Sequence, residues 1–253
     1  MPLIDAHCHL DDAQFADDLD DVIARALDAG ISAIITAGAD VATSRAAVEL
    51  AEKYASVYAV VGIHPHAAHA FDDAQLDQIR ALALHRKVVG IGEIGLDFYW
   101  KENAPRAIQE RVLIAQLDLA VEVDKPVVIH DRDAHAELMA ILARRTSPRG
   151  ILHCFSGDLA MARAAIDRGF LISFAGNLTF KNATRLQAIA RELPLEKIVI
   201  ETDAPYLSPL RGNRNEPANV ARGAEKIATI KNVEPRVVAD ATTQNSKMLF
   251  RME

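Results

Sequence analysis

The sequence is poor in several features that mark particular classes of protein. It has two cysteines in 253 residues, Cys8 and Cys154, which are too few for the disulfide framework of a secreted domain. It has no apolar run near the roughly 18 residues of a membrane span, and its first residues show no basic segment followed by an apolar one. These absences predict a cytoplasmic protein that does not associate with a membrane.

Aromatic residues and excess positive charge are also scarce. Aromatic residues make up 5% of the chain, with a single tryptophan, so base-stacking surfaces are not expected to dominate any nucleic-acid contact. The 28 basic and 35 acidic residues give a net charge of −7, which repels polyanions at long range. A broad groove that follows a phosphate backbone is therefore disfavoured, whereas a small site that neutralises phosphate with bound cations is allowed.

The chain alternates short apolar runs with helix-like segments. Eight β-branched runs with little polar alternation are typical of buried strands. They are Leu3–Ala6, Ile31–Thr36, Val57–Ile63, Val88–Ile91, Pro126–Ile129, Gly150–Leu152, Phe170–Phe174 and Ile198–Ile200. Eight strand–helix units in about 250 residues predict an α/β fold, a (β/α)8 TIM barrel, with residues 1–253 forming a single domain. An open doubly wound sheet is the alternative, but His-Cys-His stands where its glycine-rich fingerprint would follow strand one.

Helix signals are clearest in three places between and after these runs. Apolar residues recur every three or four positions from Pro105 to Val123. Asp158 and Gly169 have the residue types of a helix start and stop around the segment between them. The chain beyond Pro217 predicts two further helices.

Histidines and acidic residues stand at the ends of the predicted strands. Strand one ends in His7, Cys8 and His9, and the alternation of side chains puts the two histidines on one face and Cys8 on the other. Other strand ends supply Glu93, His130, His153, Glu201 and Asp203. In a barrel these ends meet at one face, where barrel active sites lie.

This grouping implies bound metal, because imidazoles and carboxylates buried together without partners are costly. Histidine and carboxylate ligands suit zinc, manganese or magnesium and leave positions open for water. Glu93 has two oxygens and can bridge, so we expect two divalent cations that lower the pKa of a water from about 15.7 towards 7. His64, after strand three, can donate a hydrogen bond to a substrate oxygen. Cys8 and Cys154 are expected to be small buried side chains that face away.

Seven segments, in order, resemble the TatD family of metal-dependent deoxyribonucleases, which belongs to the amidohydrolase-like barrels. They read Asp5-Ala-His-Cys-His, Gly62-Ile-His-Pro, Gly92-Glu-Ile-Gly-Leu-Asp97, Ile129-His-Asp-Arg-Asp-Ala134, His153-Cys-Phe-Ser-Gly157, Glu201-Thr-Asp-Ala-Pro-Tyr206 and Arg214-Asn-Glu-Pro217. The resemblance implies a TIM barrel that binds one to three divalent cations. It also implies phosphodiester hydrolysis, often as a 3′–5′ exonuclease on single-stranded DNA.

The resemblance further implies roles for individual residues. The metal ligands are His7, His9, Glu93, His130, His153 and Asp203, and the catalytic residues are Glu93 and Asp203. The candidate substrate contacts are His64, Arg132, Ser156, Glu201, Tyr206 and Asn215. For Arg132, Ser156, Tyr206 and Asn215 this role is not implied by the resemblance, and local structural hydrogen bonding is the alternative for each of them. Among these, His64 matches a phosphate-contacting histidine and Glu201 an additional acidic position of the family. Single-stranded DNA ends are the expected partner, and no segment indicates an obligate protein partner.

Two positions depart from the family pattern. Asp131 stands where many members have serine, and Asn213 stands where lysine is common. Each change removes a hydroxyl or a positive charge near the expected phosphate, so substrate preference stays open. Glu93, in place of a lysine, argues against the dihydroorotase-like relatives. Two alternatives also stay open: a hydrolase of a small ester, amide or phosphoester on the same barrel, and a metal-binding module without catalysis.

Overall fold

In residues 2–145 and 149–252, which the computed structural model describes, eight parallel strands follow one another in chain order. The strands are β1 Leu3–Cys8, β2 Ile31–Ala37, β3 Val57–Val61, β4 Val88–Asp97, β5 Val127–Arg132, β6 Gly150–Leu152, β7 Phe170–Phe174 and β8 Ile198–Ile200. The backbone amide of Asp203 donates to the carbonyl of His7 (3.0 Å), and that of His9 donates to Ala204 (2.8 Å), which joins the two ends of the sheet. The predicted (β/α)8 barrel is confirmed. The predicted domain span of residues 1–253 lies partly outside the described residues and stays a prediction.

Nine α-helices lie between and after the strands in the described part of the chain. They are α1 Leu19–Asp28, α2 Val41–Lys53, α3 Asp73–Ala83, α4 Arg106–Glu122, α5 His135–Ala143, α6 Leu159–Asp167, α7 Thr184–Glu192, α8 Val220–Lys231 and α9 Pro235–Phe250. Asp158 caps α6 by accepting from the amide of Met161, and Gly169 follows it with φ +89°, as its residue type predicts. Within these ranges, none of the helices combines the length and the apolar content that crossing a membrane requires.

Strand β4 is longer than the apolar pattern predicts. The run of apolar residues stops at Ile91, but the strand continues to Asp97, since β5 supplies hydrogen-bond partners along its second half. A side chain on Gly95 would overlap the carbonyl oxygen of His130, so glycine there permits the close approach of the two strands. The extension places Glu93 inside a strand and not after its end. Strand β3, in contrast, ends at Val61, two residues earlier than predicted.

The buried apolar side chains form two clusters. The larger cluster packs the helices against the outer face of the barrel. The smaller one combines side chains from seven of the strands with Leu249 and Phe250 at the end of α9. Only the interior of a barrel is shared by so many strands, so the end of α9 reaches that interior. Phe250 lies beside Gly90, near the start of β4, which means that α9 covers the amino end and leaves the carboxyl end open.

Two buried glutamines of α4 fix the loops at the carboxyl end. The side chain of Gln116 accepts from the amide of Ile63 (2.7 Å) and donates to its carbonyl (2.9 Å). Gln109 does the same at Asp97, with distances of 2.8 and 3.0 Å, and also donates to Ala104 (2.8 Å). Each side-chain amide therefore provides hydrogen-bond partners for the backbone of a residue at the end of a strand or just beyond it. These contacts hold the residues that precede His64 and follow Glu93.

Replacing Gln109 with leucine should lower the free energy of unfolding by about 2 kcal/mol, because the buried amide and carbonyls that it contacts would lose their partners. Urea denaturation followed by far-ultraviolet circular dichroism measures this change. Gln244→Leu, at an exposed position of α9, is the matched control and should leave stability nearly unchanged. Equal unfolding midpoints for both variants would contradict this account of α4.

Candidate metal centre

Polar side chains from several strand ends converge at the open end of the barrel. The six predicted metal ligands, together with His64, form overlapping groups of three whose donor atoms lie within 4.8 Å of one another. His7, Glu93 and His130 lie within β1, β4 and β5. His9 and His153 directly follow β1 and β6, and Asp203 stands three residues after the end of β8. Parallel strands bring these positions together because their carboxyl ends all lie at one rim.

Four donor atoms surround a space on the β1 side of the centre. The Nε2 atom of His7 lies 3.3 Å from Nε2 of His9, 3.3 Å from Oε2 of Glu93 and 3.7 Å from Oδ1 of Asp203. The Nε2 atom of His9 lies 3.5 and 3.6 Å from the same two oxygens. Ligands about 2.1 Å from a tetrahedral zinc ion are about 3.4 Å apart. The four side chains therefore have the spacing that a divalent cation requires.

The second oxygen of Glu93 faces a different set of histidines. Its Oε1 atom lies 2.8 Å from Nδ1 of His130, 3.0 Å from Nε2 of His153 and 3.4 Å from Nε2 of His64. One carboxylate thus lies between two groups of imidazole nitrogens, with one oxygen turned to each group. This is the arrangement expected of a bridging ligand.

Hydrogen bonds on the outer ring nitrogens separate the histidines into two kinds. His9, His130 and His153 each have one ring nitrogen beside a protein oxygen: the carbonyl of residue 37 (3.3 Å), Asp97 (3.2 Å) and Glu201 (3.0 Å), respectively. Those oxygens can only accept, so in the neutral ring the proton lies there and the other nitrogen directs its lone pair at the centre. This is the pattern of histidines that bind metal.

His64 has the opposite arrangement. Its Nδ1 atom accepts a hydrogen bond from the backbone amide of His66 (3.1 Å), so in the neutral ring the proton is on Nε2. Burial lowers the pKa of His64 to about 4, which keeps the ring neutral. Its inward nitrogen is therefore a hydrogen-bond donor and not a metal ligand. That agrees with the sequence-based expectation that His64 donates to a substrate oxygen.

The electrostatics of the centre favour a bound cation. Burial alone would raise the pKa of Glu93, but the nearby His153 and the hydrogen bond from His130 outweigh it and hold the pKa well below its usual value. Burial lowers the pKa of His9, yet its hydrogen bond to Asp203 and the charge of Glu93 raise it to about 9. The carboxylates stay ionised and attract positive charge, which protons or a metal can supply. The donor set thus fits a divalent cation.

The centre lies in a cavity of about 650 Å³. Four of the six predicted substrate contacts line this cavity. Arg132, Ser156 and Tyr206 line it, as does His64. The hydroxyl of Tyr206 donates to Asp12 (2.8 Å), and that of Ser156 donates to the carbonyl of residue 131 (3.2 Å). All of these side chains are placed where a bound molecule can contact them.

Glu201 and Asn215 are not placed to contact substrate, contrary to the sequence-based expectation. Glu201 is buried, and its carboxylate accepts from His153 (3.0 Å), from the amide of Cys154 (2.8 Å) and from Ser173. It therefore orients His153, one of the predicted metal ligands. Asn215 is fully buried and donates to the carbonyls of residues 202 and 206 (both 2.8 Å), so it shapes the loop after β8. Sequence alone cannot separate these roles, because both acid and amide side chains occur in them.

The two cysteines differ from each other. Cys8 is buried and its thiol donates to the carbonyl of Ile35 (3.6 Å), so it faces away from the centre as expected. Cys154 is partly exposed and lines the cavity, contrary to expectation. Strand β6 ends at Leu152, so strand alternation does not extend to Cys154, whose φ is +42°.

Two aspartates in the centre were not assigned roles from the sequence. Asp97 is fully buried and contacts Nε2 of His130 (3.2 Å) and of His66 (3.4 Å), which orients His130. Asp5, also fully buried, accepts from the amide (2.8 Å) and hydroxyl (2.5 Å) of Thr202 and so ties β1 to the segment after β8. The available signal was their place in the quoted segments, the first of which begins at Asp5 and the third of which ends at Asp97.

Comparison with known proteins gives one consistent result. The family model described as TatD related DNase matches residues 4–251. A Bacillus subtilis protein named metal-dependent hydrolase YabD, uncharacterized, is 41% identical over 99% of both chains. The Salmonella typhimurium protein named 3′-5′ ssDNA/RNA exonuclease TatD is 37% identical over 99% of both chains. The crystal structure of the TatD homologue YjjV from Escherichia coli superimposes with a TM-score of 0.93 at 32% identity, covering 99% of this chain and 98% of that one.

Proposed function

The chain belongs to the TatD family and is a metal-dependent hydrolase acting on ester bonds, and on that premise we propose that it removes nucleotides from the 3′ ends of single-stranded DNA. The observation that carries the proposal is the Glu93 carboxylate, whose two oxygens face separate groups of histidines at the base of an open cavity. The name of the Salmonella relative supports the same activity on DNA or RNA.

The proposal includes two divalent cations, which can be zinc, manganese or magnesium. His7, His9 and Asp203 would hold one of them, and His130 and His153 would hold the other. Glu93 would bind both. When bound, such cations supply the Lewis acidity that activates water and neutralises charge on phosphate oxygens.

The chain's own side chains then bind the substrate and move the proton. Asp203 lines the cavity, and its Oδ1 atom faces His7 and His9, so it can accept a proton from the attacking water. His64 can donate its Nε2 proton to a phosphate oxygen. Arg132, the one arginine or lysine among the described residues that line the cavity, supplies positive charge for the phosphate.

The charge of the cavity favours a chain end over a long strand. Asp11, Asp12 and Asp131 line its wall with Arg132 as the opposing cation. A polyanion laid across this surface would be repelled, whereas a single terminal phosphodiester can reach the cations at the base.

The same argument favours a second candidate function, the hydrolysis of a small ester or phosphoester. A direct comparison of a trinucleotide with small nitrophenyl esters, at equal concentrations, separates the two, because the proposed function requires the trinucleotide to have the higher kcat/KM.

Removing divalent metal should abolish hydrolysis, because six side chains of the centre would lose the ions that their geometry and charge favour. The test is degradation of an end-labelled single-stranded oligonucleotide before and after treatment with EDTA. Activity should return when zinc, manganese or magnesium is restored, and elemental analysis should find about two ions per chain. Undiminished degradation in excess EDTA would contradict the proposal. A sample taken through dialysis without EDTA is the control for loss of protein.

We also propose a cytoplasmic location. Both Cys8 and Cys154 are free thiols. Free thiols are stable in a reducing compartment such as the cytoplasm. No protein partner is part of the proposal.

A further inference from the structure

The exposed aromatic side chains are confined to one end of the barrel. Among residues 2–145 and 149–252, the exposed aromatic residues are Tyr99, Trp100, Phe180 and Tyr206. All of them lie in loops that follow the carboxyl end of a strand: β4, β7 or β8. Trp100, the single tryptophan of the chain, is 41% exposed and lines the cavity of the metal centre. An indole at the rim of the cavity offers a flat apolar face to a ligand.

The indole is held at a fixed place relative to the metal centre. The Oδ1 atom of Asp97 accepts from the backbone amides of Tyr99 (3.0 Å) and Trp100 (3.3 Å). The other oxygen of the same buried carboxylate contacts Nε2 of His130 (3.2 Å). One side chain thus positions both a metal-binding histidine and the aromatic loop. Such a connection is expected where a ligand must reach both at once.

Arg132 gives this aromatic pair a positive charge. Its guanidinium carbon lies 4.0 Å from the ring centre of Tyr99 and 5.3 Å from that of Trp100. The two rings meet edge to face, with centres 4.9 Å apart. In the part of the chain that the structure describes, no carboxylate pairs with Arg132, so its charge is available to an anion. An aromatic face beside an unpaired guanidinium matches a nucleotide, which joins a flat base to a phosphate.

We propose that Trp100, positioned by Asp97 and flanked by Arg132, is a base-stacking platform that binds the base next to the scissile phosphate. This inference rests on the proposed function and specifies its substrate as an unpaired nucleotide at the end of a strand. Low aromatic content excludes a long stacking surface, but a single platform is sufficient for one terminal base.

The single tryptophan permits a direct binding test. The metal-loaded protein is titrated with a trithymidylate whose linkages are hydrolysis-resistant phosphorothioates, and tryptophan fluorescence is recorded. Saturable quenching by the base-bearing oligonucleotide, and none by an abasic oligonucleotide of the same length, is the expected result. Equal responses to both oligonucleotides, or no response to either, would overturn the platform.

The kinetic test compares Trp100→Ala with wild type on base-bearing and abasic trinucleotides. We expect the variant to raise KM about tenfold for the base-bearing substrate and to leave the abasic one nearly unchanged. Trp100→Phe should recover much of the loss. Leu84→Ala, an exposed apolar position at the opposite end of the barrel, is the matched control.

The outcomes distinguish this inference from the proposed function. If the metal-loaded wild type hydrolyses both trinucleotides and Trp100→Ala affects them equally, the platform is wrong and the nuclease activity stands. If the wild type hydrolyses neither trinucleotide, the proposed function fails, and the fluorescence titration still decides whether a base stacks on Trp100. Quenching by nitrophenyl esters alone would overturn the platform in favour of a small aromatic substrate.

Discussion

Replacing Glu93 with glutamine should reduce hydrolysis by about a thousandfold and leave the barrel folded. The two carboxylate oxygens face separate histidine groups. Glutamine replaces one of these oxygens with an amide nitrogen, which cannot bind a cation, so it cannot serve both groups. Losing a shared ligand removes several kcal/mol of charge stabilisation, and each 1.4 kcal/mol corresponds to a factor of about ten in rate. Elemental analysis of the purified variant should show that metal content falls together with activity.

The matched control for this substitution is Glu225→Gln. Glu225 is exposed on α8 and does not line the cavity, so its replacement should change neither rate nor metal content. Circular dichroism should give the same spectrum for both variants and wild type. A Glu93→Gln protein that kept both its metal and its normal rate would refute the bridging role.

Replacing Asp203 with asparagine should lower kcat by about 10²–10⁴, with a smaller effect on the KM for the oligonucleotide. Its Oδ1 atom lies beside His7 and His9, and the side chain is 15% exposed to the cavity. Burial by itself raises the pKa of Asp203, but the hydrogen bond from His9 and nearby histidine charge lower it, so the carboxylate is ionised and able to accept a proton. Asparagine keeps a ligating oxygen but cannot take that proton.

Measuring metal content separates the two roles of Asp203. If the variant keeps its ions and loses turnover, the carboxylate acts mainly on the proton; if it loses ions, ligation dominates. Asp28→Asn, at an exposed position that ends α1, is the control and should behave as wild type. Normal kcat in Asp203→Asn would show that the proton goes elsewhere.

The parts of the fold that depend on local pattern were predictable. Strands β6, β7 and β8 have the predicted ends, and α4 differs by one residue at each end. Strand β4 was underestimated because Gly92 and Glu93 interrupt its apolar run, while its length is decided by pairing with β5. The buried glutamines of α4 were missed for the same kind of reason, since their partners lie elsewhere in the chain. Asp97, at the end of β4, is 12 residues from Gln109, and Ile63, just after β3, is 53 residues from Gln116.

The candidate site divides in the same way. The converging residues were predictable because parallel strands in a barrel end at one rim, so histidines at several strand ends must meet. The roles of Glu201 and Asp97 were not predictable, because each depends on which ring nitrogen of a distant histidine lies nearest. The same holds for Cys154, whose orientation depends on a backbone that has already left the strand.

The amino-acid sequence by itself determined the barrel, the family resemblance and the set of side chains at the metal centre. These depend on periodicity and on residue types at fixed positions, which a linear chain records. Only the tertiary structure decided which nitrogen of each histidine faces inward, that His64 is a donor, and that Trp100 and Arg132 stand together at the rim. These are matters of hydrogen bonds and ring contacts between residues as many as 48 positions apart in the chain, as at His153 and Glu201. Such contacts exist only once the strands are in register.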